Sequence, residues 1–188
     1  MKKFGASMSL VRLGNSSSRQ AVGGPESLRE LLLACHARIR RFARLAFTLG
    51  AQRTTPAAEV EEVATQCLRY FSEALPLHVR DEEDSIAPRM AGHSAALDAT
   101  LGRMRAEHFT HEVRLHAVAD ALRAVLERPN DAVLHRQLAR EAATLETDLE
   151  EHLRFEEFEL FPFLDEALPA ETQQVIIQEL RARRRTPA

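Results

Sequence analysis

From Leu28 onward the apolar positions recur at spacings of three and four: Leu28, Leu31, Leu32, Cys35, Ile39, Phe42 and Leu45. That is one face of an amphipathic helix. Glu26 or Ser27 after Pro25 opens it, and Gly50 is expected to stop it after about Leu49. Gln52 to Pro56 reads as a turn. Pro56 opens a second helix, with Glu59, Glu61 and Glu62 at the positive end of its dipole. Val60, Val63, Cys67, Phe71, Leu75 and His78 mark its apolar face. Pro76 predicts an irregularity in this helix, and Pro88 predicts its end. A third helix is expected from about Ser94 to Glu127, before Pro129-Asn130. Asp131 caps a fourth that reaches about Phe161. A short fifth, about Ala170 to Arg184, follows Pro169 and carries Val175, Ile176 and Leu180 on one edge. Long helices joined by short loops predict an all-α fold: an antiparallel up-down-up-down four-helix bundle with a short C-terminal fifth helix. Residues 1–24, with Asn15-Ser16-Ser17-Ser18 and Gly23-Gly24, read as a poorly ordered leader. The bundle takes 25–168, and a C-terminal helix with a basic tail takes 169–188.

Composition narrows the function. The chain has 188 residues, 45% hydrophobic, enough for one core. Its 25 Lys+Arg against 28 Asp+Glu give a net charge of -3, which excludes a strongly basic nucleic-acid binder. Arg181, Arg183, Arg184 and Arg185 read as a solvated end. Two cysteines, Cys35 and Cys67, cannot build a disulfide framework, a CxxC pair or a Cys-rich zinc site. No apolar run is long enough to span a membrane. Met1-Lys2-Lys3 imitates the start of a signal peptide, but Arg12 interrupts the apolar run after it. Neither nucleic acid nor membrane is expected as a partner, and a reduced cytoplasmic setting is expected.

The chemistry lies in an internal repeat. His78-Val-Arg-Asp-Glu82-Glu83-Asp-Ser-Ile86-Ala-Pro88 aligns with His152-Leu-Arg-Phe-Glu156-Glu157-Phe-Glu-Leu160-Phe-Pro162, identical at His, Arg, both Glu and Pro. Upstream, His36 aligns with His108. Each predicted hairpin therefore carries one His and one His-xxx-Glu. His-xxx-Glu alone says little, and His108-xxx-Glu112 is a third instance. Register carries the information. At a rise of about 1.5 Å per residue, all four histidines fall at one level, about 14–21 Å from the same end of the bundle. Glu82 stacks one turn from His78, and Glu156 one turn from His152. Unpaired carboxylates and histidines in a core are costly. Two divalent cations would satisfy them, each with two His and both sharing the two Glu. Imidazole and carboxylate without thiolate suit iron or manganese, with zinc possible. Open positions would remain for water, hydroxide or a diatomic ligand.

These residues resemble the hemerythrin-like family, the HHE cation-binding domain, over about residues 26–164. The resemblance implies a four-helix bundle holding two iron ions in a non-haem, carboxylate-bridged centre. Its metal ligands would be His36, His78, Glu82, His108, His152 and Glu156. Family members bind, sense or handle oxygen, nitric oxide, peroxide or iron. Oxygen-carrying members have HxxxH on the third helix, where this chain has Glu112 at the second position, and a bridging Asp at a longer spacing. The chain thus looks closer to the broader HHE group. A small diatomic or peroxide is the expected ligand, with binding or sensing as the expected role. A di-iron peroxidase or oxidase and an iron-handling protein are the alternatives. No catalytic residue is singled out. Glu112 and His111 are further candidates near the site, with His116 beyond them. Glu83 and Glu157 are expected to turn outward or pair with Arg. His93 and His135 are expected at the surface. Phe155, Phe158, Phe161 and Phe163 read as packing residues, and Tyr70 lies two turns from His78.

Overall fold

A computed structural model describes residues 27–52 and 55–185. The leader expected at 1–24 lies outside the described residues. Helix α1 is Leu28–Ala51. Ser27 opens it with a reciprocal cap: its hydroxyl accepts from the Glu30 N–H at 3.1 Å, and the Glu30 carboxylate accepts from the Ser27 N–H at 2.8 Å. The helix does not stop at Gly50 as expected. Gly50 is helical and lies against α4, helix Ala132–Phe155 and its extension below. There a Cβ would sit 2.4 Å from the Ala139 backbone nitrogen. The glycine permits close helix contact rather than termination.

Helix α2 is one run built from Ala57–Arg69, Tyr70–Ala74, Leu75–Arg80, Asp81–Ile86 and Ala87–Met90. Tyr70–Ala74 and Asp81–Ile86 are π-helical. The first precedes Pro76, where an irregularity was expected. The second precedes Pro88, which does not end the helix; α2 continues to Met90. Proline lacks an N–H and its ring crowds the carbonyl four residues back. A widened i→i+5 turn just upstream absorbs both, with the Ala87 N–H donating to the Glu82 carbonyl.

Gly92, at φ 80, makes the turn into α3, Ala95–Glu127. Ser94 caps α3 through the Leu97 N–H at 3.2 Å. Asp131 caps α4 through the N–H groups of Val133 and Leu134. Helix α4 runs through Ala132–Phe155, a third π-helical turn at Glu156–Leu160 before Pro162, and Pro162–Ala167. Helix α5 is Ala170–Arg183. The fold is all-α, and no helix among the described residues is long and apolar enough to cross a membrane.

Buried apolar residues form two separate clusters. One includes Ile39, Leu49, Val60, Leu75, Leu122, Leu145 and Leu149. The other includes Leu32, Ile86, Met104 and Phe161, and Ile176, Ile177 and Leu180 of α5 cover it. Each of α1 to α4 passes from one cluster to the other. The interval holds His36 on α1, His78 to Glu82 on α2, His108 to His111 on α3, and His152 to Glu156 on α4. A polar layer therefore divides the core at one level of the bundle. The expected packing role suits Phe155 and Phe161, which are buried, but not Phe158, which is 71% exposed.

Candidate metal centre

His36, His78, Glu82, His108, His152 and Glu156 all meet in this layer, none more than 9% exposed. The two carboxylates lie between two histidine pairs. Glu82 turns Oε1 toward His78 Nε2 at 3.4 Å and Oε2 toward His108 Nε2 at 3.4 Å. Glu156 turns Oε2 toward His36 Nε2 at 3.2 Å, and Oε1 toward His152 Nε2 at 3.1 Å and His108 Nε2 at 3.7 Å. Each carboxylate thus offers one oxygen to His36 and His78 and the other to His108 and His152. The π-helical turns at Asp81–Ile86 and Glu156–Leu160 contain these two glutamates. The prolines that impose the turns recur six residues after each glutamate, so the backbone irregularity is part of the repeated unit.

The outer faces of the rings show which nitrogen is free. His36 Nδ1 lies 2.8 Å from Glu157, His108 Nδ1 2.8 Å from Glu83, and His152 Nδ1 2.8 Å from Glu107. An ionised carboxylate can only accept, so each Nδ1 donates its proton outward. In the neutral ring that leaves the Nε2 lone pair facing the layer. Arg40 steadies Glu157 at 2.7 Å, and Arg103 steadies Glu107 at 2.7 Å. Among the described residues no carboxylate bonds to His78 Nδ1. Its neighbour there is the Cys35 thiol, which burial pushes up and His78 and Arg38 more than offset, holding it at about 7. Cys35 precedes His36 as Glu107 precedes His108, so the repeat places a thiol where its other half has a carboxylate.

Three of these contacts were missed in the sequence. Glu157 does pair with Arg40 as expected, but it and Glu83 also hold histidines of the neighbouring helix. Glu107 was not singled out. The available signal was the repeat itself, since Glu83 and Glu157 occupy equivalent positions in it. His111 is buried, with its ring edge-on to His152 at 4.9 Å. Burial, with His152 and His108 beside it, pushes His111 down to about 4. Glu112 is exposed and stands outside the cluster. His135 is not at the surface: it is buried, its ring nitrogens 3.1 Å from the Leu49 carbonyl and 2.9 Å from that of Pro129. Tyr70 stacks on Phe42 at 4.0 Å.

Nor are all the C-terminal arginines a solvated end. Arg183 and Arg184 both pair with Asp81, which is fully buried beside Glu82, and Arg183 also donates to Ser85 at 3.0 Å.

The cluster has the charge demand of a cation site. Both ring nitrogens of His78, the Nε2 of His36 and of His108, and both oxygens of Glu82 and Glu156 are buried without a hydrogen-bond partner. Burial disfavours charge on His78 and His108, yet the Glu82 and Glu156 carboxylates raise them to about 9 and about 11. Burial likewise pushes Glu156 up, and the surrounding His108, His152 and His36 hold it well below the ordinary carboxylate range. Two anionic carboxylates here require positive charge, as protonated imidazole or as metal. Two groups satisfy the proximity that one ion needs: His36, His78, Glu82 and Glu156; and His108, His152 and Glu156. Inward lone pairs, outward carboxylate partners and carboxylates facing both ways fit a pair of metal ions.

No curated protein matches the chain. The family model described as the hemerythrin HHE cation binding domain matches residues 27–164, which span all four bundle helices and the whole polar layer. The chain belongs to the hemerythrin HHE cation-binding domain family.

Proposed function

We propose that the polar layer holds two iron ions and binds or senses oxygen or another small oxidant, such as nitric oxide or peroxide. The observation that carries this reading is the placement of Glu82 and Glu156, each with one oxygen toward each histidine pair. In this reading His36 and His78 would hold one ion and His108 and His152 the other, with Glu82 and Glu156 offering carboxylate oxygens to them. Nitrogen and oxygen donors favour iron or manganese over metals that prefer thiolate. When bound, the metal pair supplies redox-active coordination positions that the protein leaves open to a small ligand.

The protein's own residues do the rest. Glu157, Glu83 and Glu107 fix the tautomer and orientation of their histidines. The two apolar clusters exclude water above and below the layer, which strengthens the electrostatics inside it. A setting in the cytoplasm suits the two free thiols.

The test is iron-replete expression, metal analysis, and absorption spectra in oxidised, reduced and oxygen-exposed states. Two iron ions per chain and a reversible spectral response to oxygen or nitric oxide support the reading. Substoichiometric iron with no response sinks it. Catalytic turnover of peroxide, abolished in Glu82→Ala, moves the protein to the enzyme class instead.

A further inference from the structure

The space beside the centre is much larger than a diatomic ligand needs. A cavity of about 540 Å³ opens between the Leu75–Glu83 stretch of α2 and the Arg105–Leu115 stretch of α3. A ligand the size of oxygen or hydrogen peroxide needs room comparable to one or two water molecules, each filling about 30 Å³ of liquid. Cavities of roughly 300–1,000 Å³ with apolar walls and a few convergent polar groups match organic ligands instead. The walls here are Leu75, Val79 and Leu149, and the inner end is lined by the rings of His108 and His152.

His111 gives the cavity a built polar contact. It lines the same space, is 8% exposed, and makes no hydrogen bond among the described residues. Its ring nitrogens face the open side of the cavity rather than being sealed in the core, so a ligand that fills the cavity can hydrogen-bond to them. As a neutral ring it offers one donor and one acceptor. A hydroxyl or hydroperoxyl group can bond to this ring at either nitrogen, giving to the acceptor or taking from the donor.

We propose that this cavity binds a small organic hydroperoxide, with its apolar body against Leu75, Val79 and Leu149 and its hydroperoxyl group hydrogen-bonded to His111 beside the metal centre. The choice of a hydroperoxyl head rests on the reading of the layer as an oxidant-binding centre; the apolar fit and the His111 contact do not. Arg80, Arg105 and Glu112 are exposed around the mouth, so their charges stay in water while the walls take the apolar body.

Two probes separate the claims. The first is 2-phenylpropan-2-ol, the unreactive alcohol that matches cumene hydroperoxide in shape, titrated by calorimetry into the full chain with and without metal. It is expected to bind in both states. Val79→Phe, which fills the cavity from a half-buried position, should weaken binding about tenfold or more. His111→Leu should weaken it about threefold to tenfold, the loss of one hydrogen bond. Circular dichroism checks that both variants fold. The second probe is cumene hydroperoxide, mixed with the reduced, iron-loaded chain and followed by absorption beside hydrogen peroxide. A spectral response to cumene hydroperoxide in the parent that Val79→Phe slows more than the response to hydrogen peroxide supports the proposal. If the chain takes up no iron but the alcohol still binds and both variants weaken it, the oxidant reading fails and the cavity assignment stands. If iron loads and hydrogen peroxide reacts, but the alcohol does not bind or both variants leave its affinity unchanged, the proposal is overturned.

Discussion

Replacing Glu107 by glutamine removes a charge that touches no proposed metal ligand atom directly. Glu107 accepts from His152 Nδ1 at 2.8 Å on one side and from Arg103 at 2.7 Å on the other. The amide keeps an acceptor for Nδ1 but no longer balances the positive charge that the ring takes up when Nε2 binds a cation. Losing such an outer partner typically costs 10–100-fold in metal affinity, or about 1.4–2.7 kcal/mol. The structure also sets an order. Glu157 is 18% exposed, Glu107 27% and Glu83 35%. Greater burial means less screening by water, so the loss should be largest for Glu157→Gln, intermediate for Glu107→Gln and smallest for Glu83→Gln. Glu112→Gln, one turn from His108 but exposed and outside the cluster, should change affinity less than twofold. The assay is ferrous iron titration against a competing chelator under anaerobic conditions, with melting curves to check folding. Unchanged affinity in all three variants, or an equal loss in Glu112→Gln, refutes the assignment of these carboxylates to the histidines.

The metal-free and metal-loaded proteins should respond to pH in opposite senses. Without metal, His78 and His108 titrate at about 9 and about 11, above the unfolded value of about 6.5. Their contribution is therefore complete below about pH 6.5 and is lost as pH rises through 9 to 11. The loaded protein needs neutral rings and should lose metal, and melt lower, as pH falls through about 6. Melting curves of chelator-treated and loaded protein across this range test both, and parallel slopes contradict the shared site. Gly50→Ala should destabilise the fold by about 1–3 kcal/mol, because its Cβ meets the Ala139 backbone; urea unfolding measures it, and a neutral result removes the close-contact explanation. Asp81→Asn leaves Arg183 and Arg184 without their buried partner and should cost on the order of 3 kcal/mol, with faster amide exchange in α5. Undiminished protection of α5 there means that the pair does not hold it.

The six central residues were legible because their information is periodic. Four histidines at matched distances from the helix ends share a level however the loops run, and a glutamate one turn away must share its histidine's face. The helix ends at Ser94 and Asp131 were legible for the same local reason, since a cap acts on the next turn of its own helix. Contacts between helices were not. Glu83 and Glu157 sit five residues from their own histidines, which by helical spacing turns them outward, yet they serve histidines across the interface. Glu107 was hidden in the same way, beside one histidine and bonded to another. Gly50 shows the matching error in the backbone: its spacing suggests a stop, while its reason for being glycine lies on α4. Pro88 suggests an end because proline breaks an α-helix, but a π-helical turn lets the chain continue and carries Glu82 into the layer.

The clamp on Asp81 bears on how the centre is made. Asp81 directly precedes Glu82, and its two arginine partners lie 102 and 103 residues further along the chain. During synthesis the first hairpin, with His36, His78 and Glu82, leaves the ribosome long before Arg183 and Arg184. Until they arrive, Asp81 has no cation to accompany it into the interior, and the turn that carries Glu82 lacks its outside support. The half of the layer made earlier is thus locked by a helix made after both hairpins. Maturation of the centre follows synthesis of α5, so a product truncated before α5 carries the central residues without the restraint on the turn that holds Glu82.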